Sequence, residues 1–223
     1  MRISSFSPAI QEYGMRKALF LLLFLAAASI LGAGQNNFRS TRWGMSIKEV
    51  SRKETAHFIK RINTGSGQQL LYRTSVGDMK ARVIYDFNRN KLVMARYVFI
   101  IYNIDQGVEQ YKSLREVLIK KYGQPEFSRR IVHGEKGGEL ASLTYLLFPL
   151  KIWIKEGLRN GKISLKTSWS KSETLIDLFL ENKKDPDLYV LTVRYKSLLW
   201  ANEQETLKAQ KDKSKEEALF KAL

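Results

Sequence analysis

The segment Lys162-Ile163-Ser164-Leu165-Lys166-Thr167-Ser168-Trp169 decides how the chain is read. Ile163, Leu165, Thr167 and Trp169 alternate with Lys162, Ser164, Lys166 and Ser168. In an extended backbone successive side chains point to opposite sides, so this pattern predicts a strand with one dry and one wet face. Such strands belong to antiparallel sheets covered on one side. Around it, Ser142–Phe148 and Leu150–Ile154 read as strands broken at Pro149, after a Gly-rich loop at His133–Gly138. Thr174–Leu180, a turn over Asn182–Asp187 and Leu188–Tyr195 close the meander as a hairpin.

The first half follows the same plan. Gln69–Thr74 leads to a turn at Ser75-Val76-Gly77-Asp78, and Ala81, Val83, Tyr85 and Phe87 share one strand face. After a tight turn at Asn88-Arg89-Asn90, Lys91–Tyr102 is apolar on both faces, which predicts a central strand covered on both sides. Asp105 can cap a helix whose stripe is Val108, Tyr111, Leu114, Leu118, Ile119 and Tyr122, with Gly123 and Pro125 as stop signals. Ala95-Arg96-Tyr97 and Val193-Arg194-Tyr195 hold similar places late in each half. The expected fold class is α+β: antiparallel meanders with two main helices packed on the sheet. The body 35–200 reads as one domain, or as a tandem pair of helix-plus-meander units split near residue 104. The remainder, 201–223, reads as a charged helix or a frayed tail.

Of the 223 residues none is cysteine, which excludes a disulfide framework and thiolate metal sites. The formal net charge is +16; Arg2, Arg16 and Lys17 against Glu12 supply +2 of it, so +14 rests on residues 35–223. That balance favours anionic partners. Before the body, Ala18–Leu31 is the one long apolar run, preceded by Arg16 and Lys17 and followed by Gly32-Ala33-Gly34. This is the order of a secretory signal, with Met15 as an alternative start and cleavage expected before Gln35. At fourteen residues the run is shorter than the ~20 that span a bilayer comfortably. The expected location is therefore periplasmic or secreted; the alternative is an inner-membrane anchor through Ala18–Leu31. Folded structure is expected to begin at a helix cap near Ser46, beyond a short polar connector.

Ser46 and Glu49 have the spacing of a capping box, with Met45 and Val50 placed as a hydrophobic staple. Trp43 beside the cap reads as a core or helix-entry residue. The whole stretch Phe38–Val50, F-R-x-x-x-W-G-x-S-x-x-E-V, resembles the post-leader motif of uncharacterised secreted bacterial proteins and lipoproteins. The resemblance implies a short helix followed by an antiparallel meander, and brings no active site with it. Many of those relatives carry a lipid-modified cysteine, which this chain lacks, so lipid anchoring is not implied. More distantly, helix-then-meander units are similar to the tandem modules of β-lactamase inhibitor proteins and to small accessory lipoproteins of outer-membrane assembly, a likeness of fold alone.

No catalytic signature stands out. His57 and His133 have no motif around them, and neither G-x-S-x-G nor S-x-x-K occurs. Two histidines and no cysteine leave a zinc site short of ligands, and Asn182, Asp185 and Asp187 suit a turn better than a calcium loop. No cofactor is expected. The candidate surface for an anionic partner is Lys162, Lys166, Lys171, Lys183, Lys184, Arg194 and Lys196, placed to converge if the hairpins pair as read. The plain alternative is a solvated sheet face with lysines protecting its edge. Nucleic acid is disfavoured, because Tyr85, Phe87, Trp169, Tyr189 and Tyr195 fall on dry faces rather than among the cations. The sequence thus points to a soluble, non-enzymatic, extracytoplasmic protein that binds an envelope component or partner protein through a basic sheet surface. Two alternatives remain: a small envelope hydrolase with an unrecognised site, and a membrane-anchored envelope assembly factor.

Overall fold

A computed structural model describes residues 37–65, 67–132, 150–183 and 188–222. The leader, the loop 133–138 and the expected strand 142–148 lie outside the described residues. In chain order the elements are α1 (Ile47–Lys53), β1 (His57–Thr64), β2 (Gly67–Val76), β3 (Met79–Asn88), β4 (Lys91–Ile101), α2 (Ile104–Tyr122), β5 (Phe127–Val132), α3 (Leu150–Arg159), β6 (Ile163–Lys171), β7 (Thr174–Asn182), β8 (Tyr189–Ser197) and α4 (Leu198–Ala222). All eight strands form one antiparallel sheet in the order β1-β2-β3-β4-β8-β7-β6-β5. The first half is a helix followed by a four-stranded meander; the second repeats this with α3 inserted between β5 and β6, and the two sets of strands meet through β4 and β8. Among the described residues no helix is long and apolar enough to cross a membrane.

Local chemistry explains most boundaries. Ser46 and Glu49 form the reciprocal capping box that starts α1. The turn between β3 and β4 places Arg89 at φ 47° and Asn90 at φ 62°, the left-handed pair that lets a two-residue hairpin follow strand twist. The cap of α2 is not Asp105 but Asn103, whose side chain accepts from the Asp105 and Gln106 amides. The helix starts early enough to bury Ile104, leaving Asp105 in the first turn, where its charge suits the helix dipole. Leu150–Ile154, expected as a strand, is instead the first half of α3. Its apolar residues continue as Ile154 and Leu158, four apart, and burial of Leu158 and Gly157 needs that helical spacing.

The core lies on one side of the sheet. Tyr72, Val83, Tyr85, Ala95, Phe99, Leu191, Val193, Leu178 and Trp169 face α2 and α1, and Tyr111, Leu114 and Leu118 of α2 are buried against them. Trp43 packs on this cluster, and its Nε1–H donates to Thr174 Oγ1 at 2.9 Å, tying the first segment to β7. Folded structure begins well before Ser46. Phe38 is 3% exposed, and its ring meets Tyr85, Tyr97 and Tyr195 at centroid distances of 5.0 to 5.5 Å. The connector is therefore part of the core. Beside it Arg39, at φ 50°, reaches the buried Glu54 carboxylate at 2.9 Å; that carboxylate also takes the Ala56 amide and the Tyr85 hydroxyl.

The opposite side of β4 is not fully covered. Met94, Arg96 and Val98 are half-buried and Ile100 is exposed, because α1, α2 and α3 all pack on the other face. The charge of Arg96 in this row also marks it as an interface with water rather than a second core. The final helix α4 is exposed from Asn202 through Glu217, in keeping with its lack of an apolar stripe.

Candidate binding face

Strand register sets out the open face row by row. One row runs Ile84, Arg96, Arg194, Asp177 and Ser168 across β3, β4, β8, β7 and β6. The next runs Arg82, Val98, Thr192, Phe179 and Lys166. Apolar and cationic side chains are thus mixed on a single sheet surface. Arg96 and Arg194 stand directly opposite each other, from the two similar tripeptides of the two halves. Like charges at that spacing destabilise a sheet unless something compensates them.

Two carboxylates do so, one on each flank. Asp177, 6% exposed, accepts from Arg194 Nη2 at 2.7 Å and Nε at 3.2 Å through Oδ2. Its Oδ1 accepts from the Ser168 hydroxyl at 2.7 Å and lies 3.4 Å from Lys166 Nζ. Burial pushes the Asp177 carboxyl up, but the hydrogen bonds from Arg194 and Ser168 and the charges of Arg194 and Lys166 outweigh it and leave it below the usual value. On the other flank Asp86 sits diagonally from Arg96, with Oδ2 at 3.4 Å from Nη1, and Oδ1 accepts from Gln69 at 2.6 Å. The buried Oδ2 takes no hydrogen bond. Burial dominates there, and the Asp86 carboxyl is raised despite Arg96, Gln69 and Arg194. Phe179 lies beneath two cations, Arg194 at 4.6 Å and Lys166 at 5.3 Å from its ring centroid.

The seven basic residues singled out from sequence divide. Lys166, Arg194 and Lys196 come together on this face, and burial followed by the nearby Arg194 charge lowers Lys196. Lys162 is exposed in the turn before β6, and Lys171, paired with buried Thr174, is on the register of the helix-covered side. Lys183 is past the end of β7 and pairs with Glu181; Lys184 lies outside the described residues, as do Asp185 and Asp187. Sequence reading missed Asp86, Arg96 and Phe179, and also Arg73 and Arg82. These last two are directly opposed on β2 and β3, exposed, and without an ion pair among the described residues. The repeated x-Arg-Tyr tripeptide was the one available signal for Arg96.

His57 is exposed on edge strand β1, and His133 lies outside the described residues. No group of three metal-ligating side chains occurs among the described residues. Trp169 and the four aromatics expected on dry faces are buried. No family model, no curated protein and no solved structure matches the chain.

Proposed function

We propose that the protein acts outside the cytoplasm as a non-enzymatic binder that receives an acidic partner, an envelope component or an envelope protein, on the open face of its sheet. One observation carries this reading. Arg73 and Arg82 oppose each other in the open, at a cost in sheet stability that no carboxylate among the described residues offsets. An anionic partner supplies the missing compensation, while Val98, Ile100 and Phe179 supply apolar contact beside it. The inner ladder of Asp86, Arg96, Arg194 and Asp177 is nearly self-neutralised, so it holds the face in shape and leaves attraction to the periphery. The leader-like Ala18–Leu31 supports an extracytoplasmic address, and its retention would convert the same binder into an anchored assembly factor.

The test is retention of the purified chain by envelope fractions across a salt series, comparing the wild type with Arg73→Glu/Arg82→Glu. The double variant is expected to lose at least tenfold in retention, and 0.5 M salt is expected to release the wild type. Lys120→Glu, an exposed change on α2, serves as the charge control and is expected to bind as before. Equal retention of the two arginine forms, or retention indifferent to salt, would reject the reading.

A further inference from the structure

A second surface, separate from the open face, lies where α1 meets the sheet margin. Ile47, Lys48, Ser51 and Arg52 of α1, Phe58 and Arg61 of β1 and Leu70 of β2 line a shallow groove. Its floor is dry: Ile47 is buried, and Leu70 is buried beneath it. Phe58 stands at the rim, 50% exposed, the most exposed large apolar side chain in any described strand. Its ring meets Tyr72 edge-on at 5.4 Å, so it is held upright rather than folded over the surface. Lys48 and Arg52 rise from the α1 bank and Arg61 from the β1 bank. None of the three forms an ion pair among the described residues, and no acidic residue lines the groove. The sequence between Glu54 and Asp78 contains no acid at all, and Glu54 itself is buried and engaged by Arg39.

We infer that this margin docks on an anionic lipid surface, with Phe58 entering the headgroup–acyl boundary and Lys48, Arg52 and Arg61 meeting lipid phosphates. The groove is too open to enclose a small molecule, and it presents one upright aromatic ringed by cations. That is the arrangement by which proteins rest on bilayers, where an aromatic ring partitions to the interface and each basic residue adds attraction to anionic lipid.

The chain has no cysteine, so Phe58→Cys gives a single attachment point for an environment-sensitive fluorophore in the full-length protein. A label there reports the surroundings of position 58 itself, whatever residues 1–34 do. With vesicles of phosphatidylcholine containing about a third phosphatidylglycerol, the emission is expected to shift blue and to be quenched by brominated acyl chains. Pure phosphatidylcholine is expected to give neither, and 0.5 M salt to reverse both. Lys48→Gln, Arg52→Gln and Arg61→Gln are each expected to weaken the shift about fivefold. All three are solvent-exposed, so the fold survives their loss. A Ser170→Cys label on the open face is expected to stay silent with vesicles. The inference fails if the position-58 label ignores anionic vesicles, responds equally to neutral ones, or is unmoved by the cation variants. It also fails if polyglutamate shifts the label while vesicles do not, which would assign the margin to an acidic protein. Because position 170 is read in parallel, failure here is distinct from failure of the open-face reading.

Discussion

Arg96 and Arg194 face each other across the junction of β4 and β8, and each leans outward onto an aspartate of the neighbouring strand. The two sets of strands are arranged alike about this junction, since each ends in the strand that meets its counterpart. The relation is imperfect in one telling place. Asp177 is directly opposite its arginine, whereas Ile84 holds the place opposite Arg96 and Asp86, paired with Met94, reaches it on the diagonal. The first flank is therefore tightly bonded, and the second is not.

Removing the tighter acid strips Arg194 and Lys166 of their shared carboxylate. Asp177→Asn is expected to lower stability by about 2–4 kcal/mol, since a buried ion pair broken on one side leaves the other charge stranded. Asp177→Asn combined with Arg194→Met is expected to recover much of that loss. Urea unfolding of the two variants checks it; an equal or larger loss in the double variant would contradict this account of the ladder.

The two aspartates titrate with opposite consequences. Asp177 is lowered in the folded state, so its contribution is present above the unfolded value of 3.8 and is lost as pH falls through its folded pKa. Asp86 is raised, so its protonated form is favoured by folding and stability is lost as pH rises from 3.8 through its folded pKa. Asp86→Asn is expected to remove that fall and to flatten the stability profile just above pH 3.8, while Asp177→Asn removes the acid-side loss. Thermal melts across pH 2–7 for both variants read the two slopes directly.

At the alkaline end the buried tyrosines act together. Burial, followed by the Glu54 charge, raises Tyr85 far above the ordinary 10.0; burial, followed by neighbouring Tyr122, raises Tyr195 likewise. Folding keeps these hydroxyls protonated, so their contribution is complete below 10.0 and shrinks as pH climbs beyond it and the unfolded chain ionises. Stability is expected to fall steeply above about pH 10, and Tyr85→Phe to blunt that fall while costing about 1–2 kcal/mol at pH 7. Ultraviolet tyrosinate absorbance followed alongside circular dichroism tests whether ionisation and unfolding coincide.

Gly157 measures how hard α3 presses on the sheet. A Cβ built there would lie 2.2 Å from Ile163 Cδ1 and 2.6 Å from its Cγ1. Gly157→Ala is expected to cost about 1–3 kcal/mol by overpacking, although alanine favours a helix by nearly 1 kcal/mol. Adding Ile163→Val should return part of the loss; a stabilised single variant would show that α3 sits further from β6.

Much of this architecture was legible because it obeys local rules. The alternation in Lys162–Trp169, the Ser46–Glu49 box and the α2 stripe each follow from one element's own spacing. Strand β1 escaped notice because an edge strand wet on both sides has no alternation, as its largely exposed residues show. Leu150–Ile154 misled because five residues of apolar character carry either period, and only Leu158, beyond the window, breaks the tie. Phe38 looked like connector because nothing near it in sequence forms its pocket; Tyr85, Tyr97 and Tyr195 do. The ladder was hidden for the same reason, since its members meet only through strand pairing. Lys166, Arg194 and Lys196 were found by charge alone, and Asp86 and Arg96 needed the register.

Strand β8 is the last strand of the described chain and lies at the centre of the sheet. Its pairing with β4 joins residues roughly a hundred positions apart, a long loop to close before any reward in contacts. During synthesis the first meander must therefore wait with the β4 edge bare, and that edge carries the run Val98–Ile101, the kind of strand that recruits strangers. Arg96 in the middle of the strand is a charge that discourages such pairing until its counterpart arrives. The arginine that meets Arg194 in the finished molecule is thus also a guard on the unfinished one.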